Sequence, residues 1–475
     1  MVFNSLHFLV FFPLVTLIYF ALPKRVQWVW LLVSSYYFYM CWNAQYALLI
    51  ALSTVVTYGC ALAVEKMQGK GVRRAVLTAG LAVNLGILGF FKYYNFFVDT
   101  LSRAFGALGV SLHIPAFDVL LPVGISFYTF QALGYMIDVY RGDIPAERNL
   151  FRYALFVSFF PQLVAGPIER SKNLMRQVNE THCFDYKRVM DGLLIMLLGF
   201  FEKLIVADRA SIYVNAVFNK GMQSAGWQIA LATVVFAFQI YGDFGGYSHI
   251  AIGAAKVMGF DLMDNFRQPY FASSVREFWR RWHISLSTWF RDYVYIPLGG
   301  SRVSPLRRAI NLMVTFTVSG LWHGASLNYV AWGAMNGALQ IAEGYLPRSK
   351  APVRGARRLV RVLTTFVLID LTWLFFRATA LSTALRLLIR IFTAFNAPAY
   401  ATGFSWVQGA VLAAGIAALL LIDTLHERGI NLTRRLGRLP MALRGLAVLA
   451  GVLLIIVFGV WGSQYDAQAF IYFQF

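Results

Sequence analysis

Charged residues are scarce in this 475-residue chain: they make up 13% of it, about half the quarter usual in soluble proteins. So little polar material cannot cover a water-soluble fold, which excludes the two or three soluble domains this length would otherwise suggest. Acidic side chains are scarcest, with 22 Asp and Glu against 42 Lys and Arg and a formal net charge of +20. Cysteine is limited to Cys41, Cys60 and Cys183, an odd number without CxxC spacing, so neither a disulfide framework nor a metal cage is indicated. The chain also lacks an internal repeat, a P-loop, a GxSxG elbow and an HExxH motif. His113-Ile-Pro-Ala-Phe-Asp118 has HxxxxD spacing, but Pro115 interrupts it in a predicted outer loop, and it reads as chance.

What the chain has instead is apolar: 59% of its residues are hydrophobic. The run from Leu6 to Leu22 is long enough to span a bilayer, has no basic segment before it and is followed by Lys24-Arg25, so it reads as a span and not a cleavable signal. Further runs lie near residues 27–42, 46–64, 75–98, 119–139, 153–168, 189–206, 228–258, 309–346 (long enough for two), 359–376, 405–425 and 445–462. These are about eleven to thirteen unbroken runs, unlike the short alternating segments of an outer-membrane barrel. The expectation is an all-α polytopic membrane protein, a single transmembrane domain over residues 1–475 with an aromatic tail at 463–475.

The basic residues fall between the runs, where they mark topology and meet lipid headgroups; no polar domain is present to carry a nucleic-acid face. Placing Lys24-Arg25 and the basic segments 66–74, 348–361 and 428–444 in the cytoplasm puts the N-terminus and the tail on the extracytoplasmic side. Arg170, Lys172, Arg176, Lys187 and Arg188 crowd one connection and fit that rule less well. A re-entrant segment broken by Pro161, Gly166 and Pro167 would explain the conflict.

Polar groups inside apolar runs are costly and default to functional candidates. His323, in Ser319-Gly320-Leu321-Trp322-His323-Gly324-Ala325, stands about 22 Å along a helix beyond Arg307-Arg308. Gly320 and Gly324 thin the helix there, so that another chain segment or a substrate can approach. The bland alternative is a histidine hydrogen-bonded between packed helices. In residues 275–291, read as one helix, Arg276, Arg280, His283, Ser287 and Arg291 share a face, and Phe278, Trp282, Leu286, Trp289 and Tyr293 share the opposite one. This predicts an interfacial amphipathic helix that either snorkels its arginines to lipid or offers a cationic wall to a phosphate-bearing donor. Asp243 lies among Gly242, Gly245 and Gly246, where a helix break is expected, with Asp243 facing a cavity or pairing with an arginine. A metal site there would lack a third ligand. The closing Phe470-Ile471-Tyr472-Phe473-Gln474-Phe475 is either an interfacial anchor or a tail that buries its rings.

Together these strings resemble the membrane-bound O-acyltransferase family, in its bacterial polysaccharide-acetylating branch. The strongest are residues 277–300 with Trp282-His283-Ile284-Ser285, then 319–325 and Phe159-Phe160-Pro161-Gln162-Leu163-Val164-Ala165-Gly166-Pro167-Ile168, with Phe3-Asn4-Ser5-Leu6 and residues 35–42. The resemblance covers nearly the whole chain. It implies about eleven transmembrane helices, with re-entrant and interfacial helices, in a ring around a central funnel, with Asp243 and Trp322 lining it. His323 matches the family's catalytic histidine and His283 its second signature position. A cytoplasmic acyl thioester such as acetyl-CoA is the implied donor substrate, met by Arg276, Arg280 and Arg291, with no bound cofactor or metal. An extracytoplasmic SGNH-hydrolase-like partner and a polysaccharide acceptor are implied, as is residence in the bacterial cytoplasmic (inner) membrane among its lipids. Tyr472 is the candidate acyl carrier. Gly242, Gly245 and His249 stand where relatives more often carry Cys, Ser and Asp, and Glu202 precedes Lys203 where Lys-Lys is common.

On that reading His323 acts as general base on an acceptor hydroxyl, while His283 orients the donor carbonyl or stabilises the oxyanion. Two other classes remain open from sequence: a transporter, which would show matched broken helices in two halves, and a non-catalytic scaffold.

Overall fold

The computed structural model describes residues 1–111, 115, 117, 121–346 and 354–461. Tyr472, the aromatic tail, His113 and Asp118 lie outside the described residues. The described residues are mostly helical and contain no strand, and six helical stretches among them are long and apolar enough to cross a membrane. The expected all-α polytopic membrane fold is what the chain adopts.

The chain divides into two compact units, one of residues 1–186 and 254–262 and one of residues 187–253 and 263–475. The first holds α1 (Leu6–Ala21), α2 (Gln27–Met40), α3 (Ala47–Lys66), α4 (Lys70–Leu88), α5 (Tyr94–Ala107) and α6 (Ile125–Arg141). The short helices α7 (Leu150–Ser158), α8 (Phe160–Leu163) and α9 (Ser171–Asn179) follow. Gly80 lets α4 press onto its neighbours: a Cβ there would meet Met136 Sδ at 2.7 Å and Cys60 Sγ at 2.9 Å. Polar pairs tie the same helices, with Ser53 Oγ donating to Asn84 Oδ1 (2.6 Å) and Thr57 Oγ1 2.7 Å from Tyr153 Oη. The break expected at Pro161 to Pro167 is present, and residues 159–168 are buried throughout. Its freed backbone is met by side chains, as apolar surroundings require: Phe160 N donates to Ser35 Oγ, and Gln131 and Gln162 both donate to Phe156 O.

The second unit opens with α10 (Tyr186–Phe201), followed by a π-helical segment Glu202–Ala207, α11 (Asp208–Asn219) and α12 (Gly226–Val257). Next come the short helices α13 (Val275–Arg281) and α14 (Ile284–Phe290), then α15 (Pro305–His323) and α16 (Leu327–Tyr345). The unit ends with α17 (Gly355–Arg377), α18 (Leu381–Thr393), α19 (Trp406–Glu427), α20 (Leu432–Gly437) and α21 (Met441–Phe458). The apolar stretch 309–346 is two helices, as its length predicted, and they pack backbone to backbone. A Cβ on Gly320 would collide with the Tyr329 carbonyl oxygen, and one on Gly333 with that of Phe316. The thinning around His323 therefore admits α16, with the Tyr329 ring filling the space beside Gly324.

Two sequence expectations fail here. The break at Gly242 and Gly245 is absent: α12 runs unbroken for 32 residues. Its glycines serve close approach instead, since a Cβ on Gly242 would meet Glu202 O at 2.8 Å and one on Gly246 would meet Gly199 O at 2.7 Å. Residues 275–291, in turn, are not one helix but two, separated at Trp282 and His283.

Candidate active site

The break between α13 and α14 begins with a sound start and an abrupt stop. Ser274 caps α13 by accepting from Glu277 N, and Trp282 turns to extended backbone after its N–H reaches Phe278 O. His283 follows with φ 44° and ψ 54°, a left-handed conformation that costs a non-glycine residue about 1–2 kcal/mol. Asn265 meets that turn from the neighbouring loop. Its carbonyl O accepts from Ile284 N (2.9 Å), and its Oδ1 accepts from Ser285 Oγ (2.9 Å) and Ser285 N (3.3 Å). Periodicity could not reveal this kink, because the aromatic face stays apolar on both sides of it. Phe278, Trp282, Leu286 and Trp289 are all buried. They pack against protein: the Phe278 and Trp282 rings stack at 5.4 Å, and Trp282 lies 5.0 Å from Trp373. The expected interfacial helix is thus a buried bend.

The bend carries His283 inward, away from the arginines it was expected to accompany. It is 1% exposed, its ring centroid 6.2 Å from that of His323 and 4.5 Å from Phe244. Burial, with the charge of His323 adding to it, holds the His283 imidazole well below its usual value. His283 Nδ1 lies 3.2 Å from Asn265 Oδ1, while Asn265 Nδ2 donates to Ser248 Oγ on α12 at 3.1 Å. His323, the last residue of α15, is 4% exposed among Trp322, Trp332 and Phe376, with ring centroids 5.0, 5.1 and 5.4 Å away. Trp322 is itself buried, 6.1 Å from His283.

The three arginines nonetheless meet. Arg276 and Arg280 on α13 and Arg291 after α14 line one cavity of about 530 Å³. Arg308 joins them from α15, and Trp279, Phe290 and Phe316 supply apolar wall. Arg308, Leu312, Thr315, Phe316 and Ser319 of that cavity follow one face of α15, a stripe about 16 Å long. His323 stands one helical turn past Ser319 on the same face. Arg291 is also held by its neighbour, with Nε and Nη2 reaching Asp292 at 2.7 and 3.2 Å. A second cavity of about 980 Å³ shares Arg276 and Arg280 and adds Arg361, Glu277 and Glu343.

Asp243 is buried and pairs with a lysine where an arginine was expected. Lys203 Nζ lies 2.6 Å from Asp243 Oδ1 and 2.8 Å from Asp208 Oδ1. The two departures Glu202 and His249 meet each other, His249 Nδ1 lying 2.7 Å from Glu202 Oε2. Among the described residues no cluster of three His, Cys, Asp or Glu side chains is arranged to hold a metal. Sequence reasoning missed Asn265, which sits in a motif-free loop, and used Arg308 only as the point from which the depth of His323 was counted. The only signal for Arg308 was its i+4 relation to Leu312, on the way to Ser319.

The sequence model of the membrane-bound O-acyltransferase family matches residues 144–385. The chain is 42% identical over 401 residues to a probable alginate O-acetylase of Pseudomonas aeruginosa, covering 83% of this chain and 75% of that one. It is 35% identical over 387 residues to a peptidoglycan O-acetyltransferase of Helicobacter pylori, covering 76% and 72%. A teichoic acid D-alanyltransferase of Streptococcus thermophilus is 32% identical over 250 residues, 48% of this chain and 58% of that protein.

Proposed function

Because the chain belongs to the membrane-bound O-acyltransferase family, an acyltransferase family of multi-pass membrane proteins, we propose that it carries an acetyl group from a thioester donor toward an extracytoplasmic polysaccharide. The observation that supports this most is the arginine-lined cavity whose α15 stripe leads to the turn before His323. Arg276, Arg280, Arg291 and Arg308 take the anionic end of the donor, acetyl-CoA or a related thioester, and the apolar walls take its arm. The acceptor hydroxyl attacks the thioester carbonyl carbon, His323 receives the hydroxyl proton, and the C–S bond breaks as the thiolate leaves. A neutral imidazole is needed for that step, and the rings of Trp322, Trp332 and Phe376 surround that of His323.

The acceptor is a sugar hydroxyl, a serine of an SGNH-hydrolase-like partner, or Tyr472, and the chain acts in the cytoplasmic membrane with its tail outside. Asp243, held by Lys203, serves to pin α12 to the π-helical segment. The test is transfer of labelled acetate from acetyl-CoA by the purified, lipid-reconstituted protein. Arg280→Gln is expected to raise the donor KM about tenfold with kcat little changed, since it removes binding common to ground and transition states. Sugar flux without acyl transfer would overturn the proposal in favour of a transporter.

A further inference from the structure

Burial alone does not say what His283 does, but its partner does. An amide Oδ1 can only accept a hydrogen bond. The orientation of the Asn265 amide is fixed independently, because its Nδ2 donates to Ser248 Oγ and its Oδ1 accepts from Ser285 N–H and Oγ–H. The 3.2 Å contact to His283 Nδ1 therefore requires the hydrogen to sit on Nδ1. In a neutral ring the lone pair then belongs to Nε2.

We propose that Asn265 is the positioning residue of this site: it fixes the tautomer of His283, so that Nε2 is a proton acceptor and cannot donate to the carbonyl oxygen of the acyl group. This rests on the acyl-transfer reading above and changes one part of it. A neutral His283 so held cannot stabilise an oxyanion by donation, and that task passes to other N–H or O–H groups. With ring centroids 6.2 Å apart, no nitrogen of His283 can lie closer than about 4 Å to one of His323, which is beyond direct hydrogen bonding. The span fits a hydroxyl that touches both rings. The hydroxyl proton passes to one imidazole as the O–C bond forms, and it returns to the departing thiolate sulfur as the C–S bond breaks.

The same asparagine holds the left-handed turn of His283, its main-chain carbonyl O accepting from Ile284 N and its side-chain Oδ1 from Ser285, so one residue sets both the position and the protonation of the ring. This is the arrangement expected where a strained backbone is kept for chemistry. The titratable group facing His283 is His323 on α15; Phe244 faces it from α12 and Trp322 from α15, and neither carries charge.

Two readouts test the assignment. In lipid-reconstituted protein labelled with ¹⁵N-histidine, with His283 resonances assigned by comparison with His283→Gln, the protonated nitrogen is expected to be Nδ1. This holds whether or not the acyl acceptor is correct, so its failure is separable from failure of the functional reading. In the transfer assay, Asn265→Asp keeps an acceptor for Nδ1–H but adds charge. It is expected to move the acid limb of the kcat/KM profile up by about one pH unit, a tenfold gain in proton affinity. Asn265→Leu is expected to lower kcat about 10–100-fold with donor KM unchanged. A protonated Nε2 in the wild-type protein, or an Asn265→Asp profile superimposable on the wild-type one, overturns the proposal. So does an Asn265→Leu protein with wild-type kcat.

Discussion

At the scale of single residues, the two histidines and the buried lysine make separable predictions. Lys203 is 4% exposed between two carboxylates. Lys203→Met leaves Asp243 and Asp208 without their cation and is expected to cost about 3–5 kcal/mol, read as loss of folded protein on heating in detergent. His283 has its folded-state pKa depressed, so it binds its proton less readily folded than unfolded. Its contribution to stability is therefore present above about pH 6.5 and is lost as pH falls through that value toward the depressed one. For the same reason, where His283 sets the acid limb of the wild-type kcat/KM profile, that limb is expected below about pH 6.5; a limb at or above it would contradict a buried His283 as the titrating group.

At the scale of elements, the α15–α16 contact is what delivers His323 to its aromatic shell. Gly320→Leu is expected to cost at least about 1–3 kcal/mol and to lower accumulation in membranes, because α16 backbone occupies the space. Gly86→Ala, on α4 with nothing within 4 Å of its Cβ, is the control and should accumulate normally. Most of this scale was legible in the sequence. The paired helices in 309–346, the break near Pro161 and the long spans at 226–257 and 406–427 follow from apolar length and from proline placement. The α13–α14 bend was not legible. It is held by hydrogen bonds that Asn265, outside this stretch, accepts from Ile284 and Ser285, whereas the periodicity of residues 275–291 is continuous through it. The glycines of α12 misled for a related reason: Gly242 and Gly246 make room for the backbone of Glu202 and Gly199, and such close packing reads in sequence like a break. Of the candidate site, the histidines and arginines could be named in advance, but their division between a dry pair and a separate cationic cavity could not.

At the scale of the whole molecule, scarcity of charge and abundance of apolar surface are one fact. On α21 only Ile455 is buried, while Leu446, Leu449, Leu453 and Val457 are exposed for lipid to cover. Leu449→Arg is expected to oppose insertion of that helix by about 2.5–3.5 kcal/mol, measured as the inserted fraction in a glycosylation-mapping assay. Of the 42 Lys and Arg behind the net charge of +20, Arg276, Arg280, Arg291 and Arg308 line one cavity, whose α15 residues end at Ser319, one turn before His323. On the proposed function, His323 is where membrane residence and chemistry meet. The most direct measurement is the ester-linked acetate content of the host's envelope polysaccharides with wild-type protein and with His323→Ala, at matched protein levels in the membrane. Acetate lost in the variant while the protein accumulates normally is the predicted result; unchanged acetate would contradict the account.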